Sequence, residues 1–155
     1  MNFADIKKND INNGQGIVVS LWVTGCPIKC AGCHNEEIFD GSKGTLFTDD
    51  TYNYLETLIG DPRVDKGFSI LGGEPLSTEN YPKVLEIVKK VRTKFPNKRI
   101  WLWTGYTYTS VATLEIMRYL DVVIDGRYIE SLKDELTWWR GSANQQMIEL
   151  RGINN

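Results

Sequence analysis

The amino-acid sequence predicts an α/β fold built on a parallel sheet, and three observations carry that expectation. Short β-branched and aromatic runs alternate with amphipathic helical patterns four times along the chain. Each of the four runs ends in a motif of unusual composition: the cysteine-rich "TGCPIKCAGCHN" (24–35), "GGEP" (72–75), "TGY" (104–106) and "DGR" (125–127). No repeat, low-complexity tract or linker interrupts the alternation, so the 155 residues read as one domain, 1–155, whose segment 127–155 is irregular.

Taken in order, residues 17–23, "IVVSLWV", have the composition of a buried strand. Residues 48–59, "TDDTYNYLETLI", open on a capping threonine with two acids in the first turn. Tyr52, Leu55 and Ile59 then share a face, which predicts a helix. "GFSILGG" (67–73) predicts a second strand. "YPKVLEIVKKVRTKF" (81–95) is the clearest helix: Val84, Leu85, Val88, Val91 and Phe95 recur at three- and four-residue steps, and Pro82 suits the first turn. "RIWLWTG" (99–105) predicts a third strand and "DVVIDG" (121–126) a fourth. Between them, 109–120 places Val111, Leu114, Met117 and Leu120 on one helical face. The tail, with "WWRGSANQQMIEL", is compatible with a lid, an edge strand or a docking surface. With right-handed crossovers, the four motifs fall at the carboxyl ends of parallel strands, where such folds build their sites.

Composition narrows the function classes. Hydrophobic residues make up 41% and charged residues 25%, as in ordinary globular proteins. A net charge of −2 gives no global field for nucleic acid or an anionic membrane. The N-terminal stretch lacks the apolar core of a secretory signal, and no apolar run reaches the roughly 18 residues of a membrane span. The expectation is a cytoplasmic protein whose thiols stay reduced.

All three cysteines, Cys26, Cys30 and Cys33, lie within eight residues. A reduced trio favours metal binding over a disulfide framework. A structural zinc site asks for a fourth ligand. The only histidine, His34, adjoins Cys33, and adjacent residues rarely chelate one tetrahedral ion without strain. Core packing would not bunch cysteines in a Gly- and Pro-rich loop. An iron–sulfur cluster fits better: with three cysteines one iron keeps an open position, the mark of a catalytic centre.

C-x-x-x-C-x-x-C directly after a first strand, followed about forty residues later by "GGEP", resembles the radical S-adenosylmethionine superfamily. The resemblance implies a [4Fe–4S] cluster on Cys26, Cys30 and Cys33, with S-adenosyl-L-methionine chelating the open iron. Gly72, Gly73 and Glu74 would meet the methionine moiety, and Gly32, Cys33 and His34 would lie near the adenine. Many superfamily members carry an aromatic residue where this chain has Gly32, so an adenine contact there is through backbone, with His34 a candidate for stacking. Because a complete (β/α)8 barrel takes about 250 residues, the implied fold is a partial, open (β/α) barrel. A protein substrate can close its open side.

"NGQGIVVSLWVTGC", "GCHN", "LGGEPL", "WLWTGY", "DVVIDGRY" and "RGSANQ" occur in this order. Together they look like the glycyl-radical activases that serve anaerobic ribonucleoside-triphosphate reductase, with departures at Gln15 and Val18. This implies the large subunit of that reductase as protein partner, a flavodoxin-type electron donor, and no direct contact with nucleic acid or membrane.

Other residues admit two roles each. Glu74 either receives the cofactor's ammonium or caps the next helix near Ser77 and Thr78. Thr104 and Tyr106 are candidates for cofactor contact or turn packing. Asp125 and Arg127 suit either the cofactor or a turn. Trp138, Trp139 and Arg140 have the composition of an interface anchor, or they pack on the sheet. The run 83–99 holds seven Lys/Arg against one Glu; it is a solvated helix face or a landing site for an acidic donor.

Overall fold

The structure is a computed structural model that describes residues 1–151. Seven strands form one sheet in the order β3-β1-β2-β4-β5-β6-β7. The four runs expected as strands are its centre: β2 (Val18–Val23), β4 (Gly67–Gly72), β5 (Arg99–Trp103) and β6 (Val122–Asp125), mutually parallel throughout. The expectation of a parallel sheet therefore holds for the centre and is corrected at both margins. There β1 (Asn2–Asp10), β3 (Thr45–Leu46) and β7 (Gln146–Glu149) pair antiparallel. Of the roles open to the tail, edge strand is the one residues 146–149 take.

The two long helices form where the patterning places them. Thr48 caps α1 (Asp49–Ile59) in a reciprocal box with Thr51, and Tyr52, Leu55 and Ile59 are buried. In α2 (Tyr81–Lys94) the buried residues are Val84, Ile87, Val88 and Val91; Ile87 takes the core position assigned to Leu85. The third helix is corrected. Residues 109–120 form only a single turn, α3 (Tyr108–Val111), and a 3-10 turn at Glu115–Arg118. Leu114 between them is extended, with ψ at 139°. Val111, Met117 and Leu120 are buried nonetheless, so the apolar pattern reports burial even where the helix breaks.

The helices cover one face of the sheet. Val19, Leu21, Val23, Phe68, Ile70, Ile100, Leu102 and Val123 point into that core, and the two-residue strand period sends their neighbours to the other face. There Trp101 packs with Val122 and Ile124, and Trp103 and Trp139 close over them. The rings of Trp101 and Trp139 meet edge to face, 5.0 Å apart. Trp103 Nε1–H donates to the Trp139 carbonyl (2.8 Å), and Trp139 Nε1–H donates to the Gly14 carbonyl (3.1 Å). One tryptophan thus joins the tail, the third parallel strand and the loop after β1 across the helix-free face. No helix among the described residues is long and apolar enough to cross a membrane.

Candidate metal centre

The cysteine loop leaves β2 and is stitched to the end of β4 by backbone. Gly73 N–H donates to the Val23 carbonyl and Glu74 N–H to the Gly25 carbonyl, both at 2.8 Å. Asn35 Nδ2 reaches the Gly72 carbonyl at 3.3 Å. The buried side chain of Asn80, in the cap position of α2, donates to the carbonyls of Thr24 (2.9 Å) and Glu74 (3.1 Å). This seam needs glycine. A Cβ on Gly73 would stand 2.4 Å from the Gly25 carbonyl oxygen.

The seam brings the three cysteines to one cavity of about 270 Å³. Cys26, Cys30 and Cys33 are all free thiols and partly exposed, which sets aside a purely core-packing role. Burial pushes the Cys26 thiol up, opposed by the backbone N–H groups of Lys29 and Ile28. The Cys33 thiol is raised for the same reason, opposed by the Asn35 N–H, which lies 3.5 Å from Sγ. Among the described residues no group of three His, Cys, Asp or Glu side chains is set to hold a single metal ion; the three thiols share the lining of the cavity.

Gly72, Gly73, Glu74, Thr104 and His34 line the same cavity. Glu74 is 1% exposed, and its carboxylate is fully committed. Oε1 accepts from Leu76 N–H (2.9 Å) and Thr104 Oγ1 (2.7 Å), and Oε2 accepts from Gly105 N–H (2.7 Å). Burial raises its pKa against these three hydrogen bonds. Glu74 therefore ties the carboxyl end of β4 to that of β5, and the Thr104 hydroxyl is its partner. His34 lies against Tyr128, ring centroids 5.4 Å apart and tilted, while Tyr128 OH donates to Glu130 Oε2 at 2.6 Å.

Two of the expected site residues fall outside the lining. Gly32 is exposed, with φ at +73°, and abuts the carboxylate of Glu130. Asp125 is buried; its Oδ2 accepts from Tyr108 N–H (2.7 Å) and its Oδ1 from Gln146 N–H (3.2 Å). It borders a neighbouring cleft with Tyr106 and Arg127. Conversely, the cavity is lined by residues to which the sequence gives no role at the site, among them Trp22, Phe39, Trp103 and Tyr128, and by Trp139, expected as an interface anchor or as packed on the sheet. The period-2 alternation of "RIWLW" separates Trp101 and Trp103 from Ile100 and Leu102, yet nothing in it says which side carries the site.

"RGSANQ" proves to be a clasp. Gln145 Oε1 accepts from the N–H groups of Gly141 (2.8 Å) and Ser142 (3.2 Å), and its Nε2 donates to the Gly126 carbonyl (2.9 Å). Asn144 Nδ2 donates to the Arg127 carbonyl at 2.8 Å. Gly141 and Gln145 themselves border the cavity. The seven cations of the basic run all have partners, among them five carboxylates. Lys83 and Lys90 pair with Glu86, Lys89 with Glu115, Arg92 with Asp121, Lys94 with Glu56 and Arg99 with Glu149, while Lys98 donates to the Val64 carbonyl. This is the solvated face, not a free cationic patch.

A parallel-centred sheet with three free thiols around one cavity at its carboxyl-end rim is the setting of an iron–sulfur protein. Accordingly, residues 12–148 match the family model described as a 4Fe-4S single cluster domain. The chain is 40% identical to the anaerobic ribonucleoside-triphosphate reductase-activating protein of Enterobacteria phage T4, over 95% of this chain and 93% of that protein. It is 35% identical to the protein of the same name from Escherichia coli K12, over 97% and 100%. Against the Vibrio cholerae protein of that name the figure is 36%, over 94% and 96%. The chain belongs to the family of anaerobic ribonucleoside-triphosphate reductase-activating proteins.

Proposed function

We propose that this chain is a radical S-adenosylmethionine enzyme, a single cytoplasmic domain of partial open-barrel type spanning residues 1–155. In this proposal it installs a glycyl radical on anaerobic ribonucleoside-triphosphate reductase and so supports deoxyribonucleotide synthesis. One observation carries the proposal: a single cavity joins all three thiols of the C-x-x-x-C-x-x-C loop to the glycines and glutamate of "GGEP". Cys26, Cys30 and Cys33 would hold a [4Fe–4S] cluster, which would supply the electron for reductive cleavage of S-adenosylmethionine and so the hydrogen-abstracting chemistry directed at a glycine of the reductase.

The chain's own residues hold, orient and exclude. Cys26, Cys30 and Cys33 hold the cluster. Gly72 and Gly73 leave room for the methionine end, while Glu74 and Thr104 fix the two strand ends that flank it. Cys33 and His34 lie on the adenine side, and Gly32 lets that turn of the loop rest on Glu130. Asp125 acts by positioning the strand-four rim. Trp22, Trp103 and Trp139 wall the cavity and keep water away from a reactive intermediate. A flavodoxin-type protein is the electron donor.

The test is anaerobic reconstitution with iron and sulfide, then dithionite and S-adenosylmethionine, with methionine and 5′-deoxyadenosine quantified beside a Cys30→Ala control. Cleavage that depends on Cys30, alone or with the reductase present, is the expected result. Colourless protein that binds zinc and no iron would overturn the proposal.

A further inference from the structure

We propose that the hairpin of residues 132–143 is the surface on which the reductase docks. This rests on the function proposed above and names where its protein substrate lands. The arms of the hairpin are joined by backbone: Asp134 N–H donates to the Gly141 carbonyl (3.1 Å) and Ala143 N–H to the Leu132 carbonyl (2.8 Å). Its base is locked to the strand-four rim by the "RGSANQ" clasp. Its tip is a built turn, because Asp134 Oδ1 accepts from Leu136 N–H at 2.9 Å and Oδ2 accepts from the Thr137 hydroxyl.

This ordered tip presents its apolar groups to solvent. Leu136 is 92% exposed and Trp138 76%, the two most exposed large hydrophobics described, with Leu132 exposed in the arm. Apolar patches of this kind on a structured element mark interaction sites, and tryptophan is the residue type most enriched among binding anchors.

The position selects the occupant. Trp139 and Gly141 line the thiol cavity, and the Trp138 ring lies 5.9 Å from that of Trp139. The patch is therefore continuous with the mouth of the site. A cavity of about 270 Å³ cannot admit a folded protein, so a protein substrate must lie on the surface around its mouth. Leu46, another exposed apolar residue, sits on β3 at the opposite margin of the sheet.

The experiment compares wild type, Leu136→Asp/Trp138→Ala and Leu46→Asp. It uses reconstituted protein and the anaerobic ribonucleoside-triphosphate reductase of the same source. Binding is measured by calorimetry, cleavage of S-adenosylmethionine with dithionite is measured without the reductase, and glycyl radical is measured by electron paramagnetic resonance. The expected result is that the double variant keeps wild-type iron content and uncoupled cleavage and binds the reductase at least tenfold more weakly. Its radical yield then recovers as reductase concentration is raised, and Leu46→Asp behaves as wild type. Undiminished binding by the double variant overturns the proposal. So does absence of binding by the wild type, or a change confined to self-association in gel filtration. Because binding is read separately from cleavage, a protein that binds the reductase through this hairpin but never cleaves S-adenosylmethionine would sink the proposed chemistry and leave the docking surface standing.

Discussion

At Gly73 the absence of a side chain holds the site together. The Cβ of an alanine there would meet backbone, the Gly25 carbonyl, at 2.4 Å, so the cysteine loop itself would have to move. Gly73→Ala is expected to cost about 1–3 kcal/mol through overpacking and to lower iron incorporation severely. Thermal unfolding and iron analysis of the reconstituted variant check both. The thiols carry a second prediction. Burial raises the Cys26 and Cys33 thiols above their ordinary value, so both are protonated at neutral pH, and binding as thiolates must release protons. Iron uptake should accordingly rise with pH between 7 and 9, measured as the initial rate of absorbance growth under anaerobic conditions. A flat profile would mean that the thiols are already ionised. That the three thiols gather at one cavity was legible from their spacing. The part played by Asn80 was not: an asparagine before a helix signals a cap, and here its side chain instead bonds to the cysteine loop at Thr24 and across its own loop to Glu74.

Among the elements, the clasp at 140–145 sets the edge of the cavity. Gln145→Ala removes the acceptor of two N–H groups and the donor to Gly126. Leaving part-buried polar groups unpaired costs about 1–3 kcal/mol. Hydrogen exchange should quicken at 126–129 and 141–146 while α2 keeps its protection; uniform quickening would make the clasp part of the global core instead. Elements with a continuous apolar run or a clean helical period were visible in sequence, as β2, β4, β5, β6, α1 and α2 show. The N-terminal strand was not, because "NFADIKKND" has one margin in water, a largely exposed pattern and two register shifts. The failed helix at 109–120 is a different case. Its apolar spacing is helical, but the chain turns extended at Leu114, and the spacing reports only the burial of Val111, Met117 and Leu120.

At the scale of the whole molecule, helices and thiols occupy different parts of the sheet. The core between sheet and helices is closed without any contribution from Cys26, Cys30 or Cys33. Stripping iron with a chelator should therefore leave far-ultraviolet circular dichroism and cooperative unfolding nearly unchanged, while residues 25–35 become sensitive to limited proteolysis. Collapse of secondary structure on chelation would show instead that the cluster is structural. The sequence left the tail tryptophans either an interface anchor or packed on the sheet. Trp139 takes the second role, and the choice rests on contacts such as Trp139 with Gly14, far apart in sequence.

That contact bears on the order of events at the ribosome. The three thiols are synthesised early, but the wall formed by Trp139 and the clasp that borders the cavity come more than a hundred residues later. A nascent chain halted before Thr137 would own every ligand and lack one side of the chamber that shields them. Protection of a bound cluster is thereby tied to synthesis of residues 139–145, and a truncation ending at Leu136 should take up iron and lose it to air far faster than the full protein.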